Sequence, residues 1–110
     1  MADNYLKDRE MLAEFSIMPV GKGESLSEDV AEVIKIVSDS GLPSKTGAMS
    51  TSIEGDWDEV MGLIKKCRDK MLESSSRVYL TIKIDERKGA EGRLTGKIKS
   101  IEEKLGKSLQ

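Results

Sequence analysis

Two segments of the chain alternate between apolar and polar residues, as half-buried β-strands do. In residues 12–18, and again in residues 77–85, every second residue is apolar. Because successive side chains of a strand point to opposite faces, this period of two predicts one strand in each segment. Pro19 and Gly21 are expected to end the first strand.

Three other segments repeat their apolar residues every three or four positions, which predicts amphipathic helices. Ser25 with Glu28, and Asp56 with Glu59, have the spacing of capping boxes at the start of the first two helices. Gly41-Leu-Pro43 is expected to close the first helix. The predicted apolar stripes are Leu26, Val30, Val33, Ile34 and Val37; then Trp57, Val60, Met61, Ile64, Cys67 and Met71; and finally Leu94, Ile98, Ile101 and Leu105.

Residues 44–55 are too short and too rich in Ser and Thr for a helix, so they predict two short strands with a tight turn near Ala48–Ser50. The resulting order, β-α-β-β-α-β with an extra C-terminal helix, indicates an α+β, ferredoxin-like antiparallel sheet with helices on one face. Residues 1–10 are polar and charged and are interpreted as a flexible extension, without a signal peptide, ahead of a single domain at 11–110.

The other face of this sheet is left uncovered by the predicted helices. Such a face often packs on a second sheet or holds a ligand, and simple exposure is the alternative. We expect it to pair with another subunit. Its predicted residues are Glu14, Ser16, Met18, Tyr79, Thr81 and Lys83.

Composition narrows the function classes. The net charge of −2 and the aromatic content of 4% argue against a nucleic-acid surface. No apolar run approaches the ~20 residues that span a bilayer. The single cysteine, Cys67, fits a reducing, cytoplasmic location.

Nothing in the sequence positively indicates catalysis. Histidine is absent, which removes Ser-His, Cys-His and His-metal arrangements. The acidic residues lack the spacing of a metal site, and Cys67 is expected to be a packing residue. We therefore predict a non-enzymatic protein without a metal or cofactor. The Gly21–Ser25 loop has the glycines of an anion cradle, although a flexible connection is the simpler interpretation.

Two stretches are candidates for ligand binding. In Thr51–Trp57, the Glu54 carboxylate could pair with an amino-substituted heterocycle and the indole could stack on its face. In the alternative interpretation, Trp57 begins the core stripe and Glu54 is solvated. Asp85 and Arg87 either order the loop after the last strand or form a polar pair at the rim of the open face.

Four segments carry a family resemblance: residues 13–21, 49–60, 77–87 and 96–105. They resemble the YkoF-like thiamine-binding protein family of small ferredoxin-like proteins, over roughly residues 11–105. The resemblance implies binding of thiamine or a related hydroxymethylpyrimidine as ligand, in vitamin transport or salvage. It also implies homodimers or homotetramers formed by packing open sheet faces.

The resemblance also implies roles for individual residues. Glu54 would pair with the aminopyrimidine, Thr51 would hydrogen-bond beside it, and Met18 would supply an apolar wall. One departure concerns the turn: the family's Pro-Met-Gly-Thr is Ala48-Met-Ser-Thr51 here, so a residue free to adopt positive φ is missing. The implied ligand-binding set is Ser16, Met18, Thr51, Glu54, Trp57, Asp85 and Arg87.

Two alternatives to vitamin binding remain. The first is a structural or regulatory oligomer that acts through protein–protein contacts without a small ligand. The second is an acylphosphatase-like enzyme, which rests on fold analogy and on the position of the Gly21–Ser25 loop.

Overall fold

The elements follow one another in the predicted order. The computed structural model describes residues 11–21, 26–88 and 93–107, so the predictions for residues 1–10 and for most of the Gly21–Ser25 loop lie outside the described residues. The elements are β1 (Met11–Pro19), α1 (Ser27–Asp39), β2 (Ser44–Thr46), β3 (Thr51–Gly55), α2 (Trp57–Leu72), β4 (Val78–Glu86) and α3 (Arg93–Leu105).

Strand β1 lies at the centre of the sheet. The strand order is β2-β3-β1-β4, and all neighbouring strands are antiparallel. β1 pairs with β4 over its whole length and with β3 over Met11–Phe15. Together with the element order, this topology confirms the predicted ferredoxin-like α+β fold.

The alternation along β1 separates two faces of the sheet. Met11, Ala13, Phe15 and Ile17 are buried against the helices, whereas Glu14 and Met18, on the other face, are exposed. Burying these apolar side chains contributes roughly 25 cal/mol per Å² removed from water. The rest of the core consists of Val33, Val37, Ile53, Val60, Leu63, Ile64, Cys67 and Met71.

Of the two predicted capping boxes, the one at the start of α2 is confirmed. α1 begins at Ser27 with Leu26 as its N-cap and no side-chain cap bond; Ser25, the predicted cap, is outside the described residues. α2 has the predicted capping box, with Glu59 N donating to Asp56 Oδ1 at 2.7 Å and Asp56 N donating to Glu59 Oε1 at 3.0 Å. Caps of this kind contribute about 1 kcal/mol.

The core stripe of α2 begins one turn later than predicted. Trp57, the first residue of the helix, is 53% exposed, so the interpretation that it begins the core is wrong. Val60 is the first fully buried residue of the helix, and Leu63, which the predicted stripe lacked, is also buried.

The predicted pair of short strands is confirmed, with a tight turn over residues 47–50. Gly47 N donates to Ser50 O at 2.8 Å and closes the turn. A Cβ on Gly47 would lie 3.2 Å from Ser50 O, which explains the glycine. Among the described residues, only glycines have positive φ, so Ser50 does not need the conformational freedom that the family's glycine would provide.

The buried thiol of Cys67 should make the stability of the protein depend on pH. Burial raises the pKa of its thiol from 9.0 to about 11. Below pH 9 the thiol is protonated in both the folded and the unfolded protein. Between pH 9 and 11, only the unfolded chain loses the proton. The free energy of unfolding should therefore fall across this window by about 2 kcal/mol from this group.

Urea unfolding at a series of pH values measures this effect. The Cys67→Ala variant is the control, because it lacks this thiol and keeps every other ionisable group of the wild type. Its stability deficit relative to the wild type should shrink as the pH rises from 9 to 11. A constant difference across that range would contradict the account.

Candidate functional site

A cleft lies on the helix-facing side of the sheet, near the end of the sheet where the β2–β3 turn lies. It has a volume of about 300 Å³ and is bounded by α1, the second half of β1 and the β2–β3 turn. Its walls are mainly apolar, with Phe15 and Ile17 from the sheet and Val30, Val33 and Ile34 from α1. None of the described residues that line the cleft carries a charge.

Thr51 provides a polar group in this apolar cleft. It is the first residue of β3 and pairs with Phe15, so its side chain lies on the helix-facing side. The residue is only 8% exposed, and its hydroxyl has no hydrogen bond to any other residue that the structure describes. The hydroxyl is therefore available to donate to, or accept from, a molecule in the cleft.

Ser16 and Met18 also border the cleft, as residues of β1. The Ser16 side chain itself lies on the open face, where its hydroxyl shares a hydrogen bond of 2.6 Å with the Thr81 hydroxyl. Met18 is 46% exposed and pairs with Tyr79, which is 62% exposed. Ser16, Met18 and Thr51, three predicted site residues, therefore border one cleft, although the side chains of Ser16 and Met18 lie on the face of the sheet opposite Thr51.

Glu54 is not part of this region. It is three residues after Thr51 on the same strand, and an odd separation places the two side chains on opposite faces of the sheet. Glu54 pairs with Leu12 on the face opposite Thr51 and is only 2% exposed, on a strand that α3 contacts. The structure thus does not bring Thr51 and Glu54 together at one site, and the role predicted for Glu54 stays a prediction.

The other predicted residues lie elsewhere. Asp85, opposite Leu12, borders a hollow of about 390 Å³ on the open face. Arg87 follows β4 and is exposed. Trp57 lies at the start of α2 and does not line the cleft.

The open face contains a row of polar contacts that crosses the sheet. Ser50 Oγ donates to Glu14 Oε2 at 2.8 Å, and Lys83 Nζ lies 3.9 Å from Glu14 Oε1. The register places Tyr79, Thr81 and Lys83 on this face with Glu14, Ser16 and Met18, as predicted. Both charged groups of the ion pair are substantially exposed, so the pair contributes little stability by itself.

Sequence reasoning missed the part that α1 plays in the cleft. The sequence predicts a core stripe that includes Val30, Val33 and Ile34, and the same periodicity is expected whether a helix packs fully on a sheet or leaves a gap. Val30 is 41% exposed and lines the cleft together with residues of β1. The hydropathy pattern carries no signal for such a gap, because core walls and cleft walls have the same residue types.

The described part of the chain has neither a metal-binding cluster nor a membrane-spanning helix. Within residues 11–21, 26–88 and 93–107, no three His, Cys, Asp or Glu side chains form a group that could hold a metal ion. In the same part of the chain, no helix is long and apolar enough to cross a membrane.

Comparison with known proteins places the chain in a family. Residues 13–102 match the profile of the family described as thiamine-binding protein. A UPF0045 protein of Mycobacterium bovis is 42% identical over 96 residues, which cover 86% of this chain and 94% of the relative.

Solved structures agree with this assignment. The crystal structure of a hypothetical protein from Methanocaldococcus jannaschii, 40% identical, superposes with a TM-score of 0.78 over 86% of this chain and 98% of its own. A Thermotoga maritima protein, provisionally assigned to thiamine biosynthesis or salvage, shares the fold at 21% identity. Its TM-score is 0.74, over 83% of this chain and 97% of its own. The profile match and the two relatives at 40% identity or more show that this chain belongs to the thiamine-binding protein family.

Proposed function

We propose that this protein binds thiamine or its hydroxymethylpyrimidine half, without transforming it, in the cleft between α1 and the β2–β3 turn. The observation that carries the proposal is Thr51, a residue only 8% exposed that lines an apolar cleft and whose hydroxyl has no hydrogen bond to another described residue. Small-molecule sites commonly combine apolar walls with a few polar groups that orient the ligand. A flat heteroaromatic ring with one hydrogen-bonding edge suits this arrangement.

Membership of the thiamine-binding protein family supports the same ligand class. The provisional assignment of the Thermotoga maritima protein to thiamine biosynthesis or salvage points in the same direction. We place the function in vitamin transport or salvage in the cytoplasm, where the lone buried thiol of Cys67 would stay reduced. In this proposal the vitamin is the ligand and the protein needs no cofactor of its own.

We also propose that a second copy of the chain packs on the open face, to give a dimer or a tetramer. Exposed apolar side chains, Met18 and Tyr79, lie beside acidic and basic ones on this face. A face that carries both signs of charge can pair with itself, because Glu14 or Asp85 of one copy can lie opposite Lys83 of the other.

Thermal unfolding in the presence of ligand tests the binding proposal. Thiamine or hydroxymethylpyrimidine at millimolar concentration should raise the melting temperature, because a ligand that binds the folded state stabilises it. Thr51→Val removes the hydroxyl but keeps the shape, so it should weaken binding about 3- to 10-fold. Thr81→Val, on the open face, is the matched control and should keep the full shift.

Folded wild-type protein that shows no shift with either compound would contradict the proposal, and would favour an oligomer that works without a small ligand. The Glu54→Gln variant distinguishes a ligand bound in the cleft from a ligand bound on the open face. Loss of the shift in this variant, with Thr51→Val unaffected, would place the ligand on the open face and support the role predicted for Glu54.

Sedimentation velocity tests the pairing of open faces. The wild type should sediment as a dimer or tetramer at micromolar concentration. Tyr79→Glu places a charge in the proposed contact and should shift the protein towards monomer, whereas Lys66→Glu on the exposed side of α2 should not. A monomeric wild type, or an oligomer that tolerates Tyr79→Glu, would overturn the pairing.

A further inference from the structure

The β2–β3 turn, residues 47–50, belongs to the cleft and to the open face at once. Met49 borders the cleft and also borders a hollow of about 330 Å³ on the open face that Glu14, Thr81 and Lys83 line. It is 88% exposed, the most exposed of the large apolar residues that the structure describes. A ligand in the cleft and a second copy on the open face would therefore approach the same side chain from two sides.

A hydrogen bond ties this turn to the open face. Ser50 Oγ donates to Glu14 Oε2 at 2.8 Å, across 36 positions of sequence. The next residue, Thr51, carries the hydroxyl that faces the cleft. Glu14 thus contacts the turn from the open face, and a molecule beside Thr51 would contact the turn from the cleft.

The turn itself is exposed. Within it, one backbone hydrogen bond joins Gly47 to Ser50, residues 47–49 are exposed, and β2, which leads into the turn, pairs with β3. Ordering an exposed segment costs conformational entropy of roughly 1–2 kcal/mol per residue. If the ligand orders the turn, a second copy that packs on it does not incur this cost again.

We propose that ligand binding in the cleft and pairing of open faces are linked through this turn, so that each strengthens the other. This inference rests on the proposed function and specifies how the same site is regulated. The linkage is reciprocal by thermodynamic necessity: a ligand that tightens the dimer is bound more tightly by the dimer, by the same factor. Glu14 is a positioning residue in this arrangement, since it acts through Ser50 and does not line the cleft.

Sedimentation equilibrium with and without saturating thiamine or hydroxymethylpyrimidine tests the linkage, with isothermal calorimetry of the same samples to measure binding. For the wild type, the dimer dissociation constant should fall by about 5-fold or more with ligand. Glu14→Ala removes the acceptor of the Ser50 bond and should bind the ligand without this change. Lys65→Ala loses an exposed ion pair with Asp69 on α2 but keeps the Ser50–Glu14 bond, so it should retain the linkage.

The outcomes separate the two proposals. Binding by calorimetry with an unchanged dimer dissociation constant overturns the linkage and leaves the binding proposal intact. Full linkage in Glu14→Ala, or a wild type that stays monomeric with ligand bound, also overturns the linkage alone. Absence of binding by either compound overturns both proposals.

Discussion

The alternation of side chains along β1 is the constraint on which the rest of the structure depends. Because β1 pairs with β3 on one side and β4 on the other, its period of two fixes which residues of all three strands face the helices. A slip of one residue would move Phe15 into solvent and Glu14 into the core. The same register places Thr51 beside Phe15 in the cleft and sends Glu54 to the opposite face.

The β2–β3 turn contacts both faces of the sheet. At the end of the sheet where β1 extends beyond β3, α1 does not close fully on the sheet, and the turn forms the remaining wall of the cleft. The turn reaches the open face through the Ser50–Glu14 hydrogen bond. A small ligand and a second subunit would thus share one four-residue segment, although they lie on opposite sides of the sheet.

Much of the fold was predictable from local patterns. The alternation in β1 and β4, the capping box of Asp56 and Glu59, and the glycine after α1 each determine an element without reference to the others. The site was less predictable, because it depends on distances between elements. Residue type indicated Thr51 and Glu54 together, whereas only the strand register shows that they face opposite ways. Trp57 likewise fits the helical stripe, yet it lies a turn ahead of the buried segment.

A crystal structure of the protein with hydroxymethylpyrimidine tests the central claim most directly. The account predicts that the ring lies between Phe15 and the apolar side chains of α1, with a ring nitrogen or the amino group about 3 Å from Thr51 Oγ1. A ring bound on the open face beside Glu54, with the cleft empty, would contradict the account.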